Sequence, residues 1–299
     1  MMKKCLGLAL AISMLVGVSA FAEEGVEAQL NPATDAYEES YVTIEAEDHE
    51  IPAIVGLPKG EVKGAVVMLH GTGSTKNEAG DGYKVACPIL GEEYGLATIR
   101  LDFMGNGDST ADYENYNFTT AVADAMAARD YLATLVPEGT KFGVMGWSQG
   151  GTDALLAAGE NPDAFGSIVT WAGAPDLSDM LTDEYYEEAK ENGFFVVEFD
   201  WRDPLHVGLQ WCEDVKSVDV LSVFSAFEGP VLAIAGEEDT SVDPEWSNKI
   251  VETSQNPASK TYFIPGMDHT FNVFAGEDYK SLKDAAAATG AFFAETLGE

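Results

Sequence analysis

Gly146-Trp147-Ser148-Gln149-Gly150 sets a serine between two glycines, each two residues away. This G-x-S-x-G spacing lifts a serine hydroxyl above a sheet when it sits on a sharp strand-to-helix corner. The flanks suit that corner: Phe142-Gly-Val-Met145 enters as an apolar strand and Thr152-Asp-Ala-Leu-Leu-Ala-Ala158 leaves as a helix. The chemistry on offer is acyl transfer, with Ser148 attacking a carbonyl carbon. A neutral hydroxyl is a weak nucleophile and needs a base within hydrogen-bond reach. Of the four histidines, His269 in Gly266-Met-Asp-His-Thr270 follows the last expected strand, on the edge that should also present Ser148. His49 falls in an early turn, His206 in an insertion, and His70 ends a strand, where it shapes the following loop.

The base in turn needs a carboxylate to hold its tautomer. Asp239 follows the next-to-last strand; its rival Asp243 directly precedes Pro244 and reads as the opener of the next helix. The order Ser148, Asp239, His269 is serine, acid, histidine. The oxyanion formed during acyl transfer calls for two backbone N–H groups. Gln149, next to the nucleophile, supplies one, and Thr72 in His70-Gly-Thr-Gly73 the other. This glycine-flanked loop lacks the lysine and serine spacing of a phosphate-binding loop. Such chemistry needs no cofactor. Cys87 and Cys212 have no Cys or His at ligand spacing, so no metal is expected.

Positioning these residues requires a sheet with its loops on one edge. Apolar runs predict strands at 65–69, 96–101, 141–145, 167–171, 231–235 and 260–264, after a hairpin formed by 41–44 and 54–57 around Asp48-His49-Glu50. Helices are expected at 83–94, 118–135, 149–159, 244–253 and 279–297. Strand alternating with helix makes an α/β fold with a mostly parallel central sheet and helices on both faces. Nearly sixty residues separate the strands ending at Trp171 and beginning at Val231, where a crossover helix needs roughly a dozen. The excess, 176–227, reads as a cap insertion rich in acids and aromatics. Its Phe194, Phe195, Trp201 and Trp211, together with Trp147 beside the nucleophile, are the candidate substrate contacts.

Residues 1–22 read as a secretory signal: Lys3 and Lys4, an apolar stretch from Leu6 to Val18, and a small-residue site at Ala20-Phe21-Ala22. The apolar run is short for a membrane anchor, and Cys5 precedes it, away from the position of a lipidated mature terminus. A polar leader, 23–40, then precedes one domain, 41–299. Sixteen Lys and Arg stand against 51 Asp and Glu; removing two lysines with the leader leaves 14 against 51, a formal charge of −37. Such a surface repels nucleic acid and anionic membrane and keeps an exported protein soluble. Cys87 and Cys212, the cysteines left after processing, fit a disulfide or two buried thiols equally.

Together these features resemble the α/β-hydrolase superfamily along nearly the whole mature chain. His70-Gly-Thr-Gly-Ser-Thr-Lys-Asn-Glu78 and Leu101-Asp-Phe-Met-Gly-Asn-Gly-Asp-Ser109 look like segments of bacterial feruloyl and cinnamoyl esterases and of serine-aminopeptidase-like hydrolases. The resemblance implies an α/β-hydrolase fold, a triad of Ser148, Asp239 and His269, and an oxyanion hole from Thr72 and Gln149. It also implies a cap that shapes the acyl pocket, although Thr72 stands where those esterases often carry an aromatic residue. The expected partner is a small-molecule ester, hydroxycinnamates included. An aminopeptidase or amidase would use the same triad, and a binding protein without turnover could use the same scaffold.

Overall fold

The computed structural model describes residues 25–199, 201–276 and 278–298. The expected signal segment, 1–22, lies outside them. Alternation along each strand builds two cores, because successive side chains point to opposite faces. In β3 (Gly64–Leu69) Ala65, Val67 and Leu69 enter one core while Val66 and Met68 enter the other. In β9 (Val231–Gly236) Val231 and Ala233 oppose Leu232 and Ile234 in the same way. Each face therefore needs its own cover. α1 (Gly82–Tyr94) and α8 (Lys280–Leu297) cover the face of Val66, Met145 and Trp171. α2 (Phe118–Ala133), α3 (Gln149–Glu160) and α7 (Glu245–Thr253) contribute to the other.

The eight-stranded sheet runs β1-β2-β4-β3-β5-β6-β9-β10. β1 (Tyr37–Glu45) and β2 (Glu50–Pro58) form an antiparallel hairpin, and β2 pairs antiparallel with β4 (Leu96–Leu101). From β4 onward all neighbours are parallel: β3, β5 (Phe142–Trp147), β6 (Ser167–Trp171), β9 and β10 (Lys260–Ile264). Consequently the loops after β3, β5, β9 and β10 all open on one edge, and these carry Thr72, Ser148, Asp239 and His269.

β1 begins at Tyr37, inside the segment expected to be a polar leader. The acidic residues that gave that segment its polar character include Glu39, whose carboxylate takes Arg100 Nη1 at 2.7 Å and Nη2 at 2.9 Å. Both side chains are fully buried. Burial would raise the Glu39 carboxyl, but the Arg100 guanidinium and Asn31 hold it below its ordinary range. A charge that looks exposed in sequence is thus an internal strut.

The insertion between β6 and β9 has its own order. A 3-10 turn (Ser178–Met180) leads to α4 (Asp183–Asn192), a hairpin of β7 (Phe194–Val197) with β8 (Leu205–Gly208), α5 (Leu209–Ser217) and α6 (Val220–Phe224). Neither hairpin strand was legible as one. Each is four residues long, and the pair forms a sheet separate from the main one. Cys87 and Cys212 are buried free thiols, so they form no disulfide with each other.

Candidate active site

Ser148 occupies φ 55°, ψ −121°, between the last residue of β5 and the first of α3. A side chain rarely tolerates positive φ, and here the turn is held from both ends. Ser148 N–H donates to the Trp171 carbonyl at 2.9 Å, and its own carbonyl accepts from Gly151 and Ala174. The two motif glycines are steric requirements: a methyl on Gly146 would collide with the Gly150 carbonyl, and one on Gly150 with the Leu69 carbonyl.

On the same edge His269 Nδ1 lies 2.8 Å from Asp239 Oδ2. Asp239 is fully buried at its side chain, and its Oδ1 accepts from the N–H groups of Ser241 and Val242 at 2.8 and 2.9 Å. The carboxylate is therefore fixed before it meets the imidazole, and its bond to Nδ1–H leaves Nε2 free to accept a proton. Asp243 is exposed and accepts from Glu245 N–H at 3.0 Å, at the start of α7. Among the described residues the Ser148 hydroxyl makes no hydrogen bond, so the structure brings serine and histidine to one edge without closing a contact between them. Such contacts commonly tighten only when substrate binds.

Trp147 joins the two loops. Its indole N–H donates to the His269 carbonyl at 3.0 Å, while its ring meets Tyr83, Trp171 and Phe271. Phe271, itself fully buried, stacks on Trp171 with ring centres 4.9 Å apart. Expected as a substrate contact, Trp147 is instead a buried pillar under the histidine loop. Phe195 and Trp211 are also core residues: both are buried, and Phe195 lies between Tyr185 and Trp211. Burying large rings inside the insertion supplies the core it otherwise lacks. Phe194 is half-buried and stacked on His206, whereas Trp201 is exposed beside Phe199. Of the five expected contacts, only these two keep accessible surface.

The loop after β3 passes against Ser148, since a Cβ on Gly71 would stand 3.1 Å from Ser148 Cβ. Both peptide groups of Gly71 are held. Its N–H donates to Glu78 Oε1 at 2.5 Å, and its carbonyl accepts from His70 Nδ1 at 2.8 Å. Phe103 N–H donates to His70 Nε2 at 3.1 Å, which settles where the ring carries its proton. Burial lowers the His70 pKa, keeping the ring neutral. Across a trans peptide the carbonyl and the next N–H point opposite ways. Anchoring the Gly71 carbonyl on His70 therefore turns the Thr72 N–H to the other side of the loop.

Sequence reasoning missed most of the residues that brace this loop. Lys76 Nζ, almost fully buried, reaches Asp102 at 2.5 Å and Asp108 at 2.8 Å, tying the loop after β3 to the loop after β4. Arg202 reaches across from the insertion, donating from Nη1 to the Gly73 carbonyl at 2.5 Å and to Asn106 Oδ1 at 2.7 Å. The available signal was a lysine and a glutamate inside the His70–Glu78 segment of a chain poor in cations; nothing local marked Arg202 in the insertion. His49, by contrast, lies on Asp124 of α2, and His206 beside Glu114. Among the described residues no cluster suited to a metal ion occurs, and no helix is long and apolar enough to cross a membrane.

The strand order, the serine on its strained corner and the acid and histidine on the following loops define an α/β-hydrolase fold. Over residues 90–299 the sequence matches the prolyl oligopeptidase family, and the chain belongs to it. Among solved structures, the ferulic-acid complex of Est1E from Butyrivibrio proteoclasticus superposes with a TM-score of 0.68 at 21% identity, covering 86% of this chain and 100% of that one. The esterase domain of a Rhodothermus marinus protein gives 0.66 at 19% identity, covering 87% and 100%. A monoacylglycerol lipase from Paleococcus ferrophilus gives 0.64 at 17%, covering 87% and 99%. No curated protein matches the sequence.

Proposed function

We propose that this chain is an exported carboxylester hydrolase that works through an acyl-enzyme on Ser148. The observation that carries the reading is the 2.8 Å His269–Asp239 bond, on the sheet edge where Ser148 sits at φ 55°. His269 takes the serine proton and returns it to the leaving alcohol, Asp239 supports the imidazolium, and the N–H groups of Thr72 and Gln149 receive the oxyanion. A cavity of about 200 Å³ between the insertion and the body is lined by Phe118, Asp176, Leu177, Asp219 and Trp246 among others, and by none of Ser148, Asp239, His269, Thr72 or Gln149, so the acyl site is read from the triad edge and not from this cavity. Residues 1–22 would direct export.

Membership of a family named for an oligopeptidase favours a second reading, peptide hydrolysis with the same triad. A free α-amine brings an ammonium that must meet a carboxylate once desolvated. Among the described residues, two carboxylates on this edge are already engaged: Glu78 by Gly71, Ser74 and Ala79, and Asp239 by His269, Ser241 and Val242. This supports the ester. The test is kcat/KM on chromogenic acyl esters against matched aminoacyl amides, with a phosphonate probe to label the nucleophile. We expect esters ahead by at least about a hundredfold, and labelling lost in Ser148→Ala. Comparable turnover of free-amine peptides would replace the esterase with the peptidase.

A further inference from the structure

The side chains of the two oxyanion residues are tied to each other: Thr72 Oγ1 donates to Gln149 Oε1. The tie continues inward. Gln149 Nε2 donates to the Tyr116 hydroxyl at 2.8 Å, and that hydroxyl donates to Asp153 Oδ2 at 2.7 Å. Gln149, Tyr116 and Asp153 are all buried, with Asp153 wholly so. Each bond sets the direction of the next, because a hydroxyl has one proton and an amide one donor end. A Tyr116 that donates to Asp153 can only accept from Gln149, so the amide must turn its oxygen toward Thr72.

We propose that Asp153, Tyr116 and the Gln149 side chain form a buried relay that holds Thr72, and with it the oxyanion-binding loop, against the amino end of α3, so that the hole exists before substrate arrives. The inference rests on the serine-hydrolase reading given above. Asp153 is the terminal positioning residue and acts as a neutral acid whose proton sits on Oδ1, which leaves Oδ2 to accept from Tyr116. Among the described residues no cation lies on it and its Oδ1 has no hydrogen-bond partner, an arrangement that costs a buried ionised carboxylate more than a neutral acid. Burial, opposed by the Tyr116 hydrogen bond and helped a little by the like charge of Asp124, pushes its pKa up to about 8. Neutrality matters for the chemistry, since a fixed anion a few bonds from the developing oxyanion would oppose it. Preorganised donors lower the barrier without contributing equally to ground-state binding, so loosening them lowers kcat and spares KM.

The experiment compares full-length variants on one chromogenic acyl ester. Ser148-dependent turnover by the wild type comes first; its absence would sink the hydrolase reading and this proposal with it. Given that turnover, Tyr116→Phe should lower kcat by roughly 10- to 100-fold, less than the loss of an oxyanion donor itself, with KM changed less than about threefold. Thr72→Val cuts the relay at its other end, in an accessible loop, and should cause a similar loss. The double variant should be no worse than either single one, because one cut already opens the relay. Asp153→Asn keeps an acceptor for Tyr116 and should retain most of the turnover, while Asp153→Leu should behave like Tyr116→Phe. Wild-type kcat in Tyr116→Phe, a loss expressed in KM alone, additive losses in the double variant, or equal damage from Asn and Leu at 153 would each overturn the relay.

Discussion

Replacing Asp153 with asparagine should change stability in opposite directions at acid and neutral pH. In the folded chain burial raises the carboxyl to about 8, against an ordinary value of 3.8. Below the ordinary value both folded and unfolded chains hold the proton, and the group costs nothing. As pH rises the unfolded chain gains by ionising while the folded chain cannot, so stability falls until pH passes the folded pKa, then levels. At about 1.4 kcal/mol per unit, the penalty reaches roughly 4 kcal/mol at pH 7. Asparagine has no such penalty, but its amide has two N–H groups where the neutral acid has one unpaired O–H, and the extra unpaired donor costs about 1–3 kcal/mol independent of pH. The variant should therefore be the less stable protein near pH 4 and the more stable one near pH 7.5, crossing at roughly pH 4.5 to 6. Asp124, raised to about 7 by burial despite His49, shares the trend in both proteins and largely cancels in the difference. Urea melts of wild type and variant at several pH values measure that difference. A gap independent of pH would mean that Asp153 is ionised in the fold, and would refute the neutral acid.

Asp239→Asn should cut kcat/KM by several orders of magnitude, whereas Asp243→Asn should stay near wild type, because only Asp239 holds His269; ester turnover decides, and equal losses would move the acid. Arg100→Met should destabilise the chain by about 3–5 kcal/mol by leaving the buried Glu39 carboxylate unpaired, visible as a lower denaturation midpoint, and a shift under about 1 kcal/mol would show that pair to be wet. His70→Leu frees the Gly71 carbonyl and should lower kcat roughly 10- to 100-fold, more mildly than loss of an oxyanion donor; unchanged kcat would make the His70 anchor irrelevant. Trp147→Phe keeps the ring packing but removes the 3.0 Å bond to the His269 carbonyl, and should slow turnover without weakening substrate binding.

The fold and the residues that meet on its sheet edge were legible in the sequence because both rest on local rules. Continuous apolar runs such as 65–69 and 231–235 can only be strands buried on both faces, and the spacing of glycines about Ser148 is what its corner sterically demands. Asp239 was separable from Asp243 because a residue before proline opens a helix. Other features depend on which distant atoms meet. Glu39 reads as a surface acid until Arg100, 61 residues away, is folded onto it. Trp147, Phe195 and Trp211 carry the same aromatic signal whether they line a pocket or fill a core, and only packing decides. Nothing local marks Asp153 as wholly buried or Tyr116 as its partner, since that pairing spans 37 residues. Periodicity and turn chemistry act within a few residues and are written in the sequence; burial, and the charge states it enforces, exist only once the chain has closed around them.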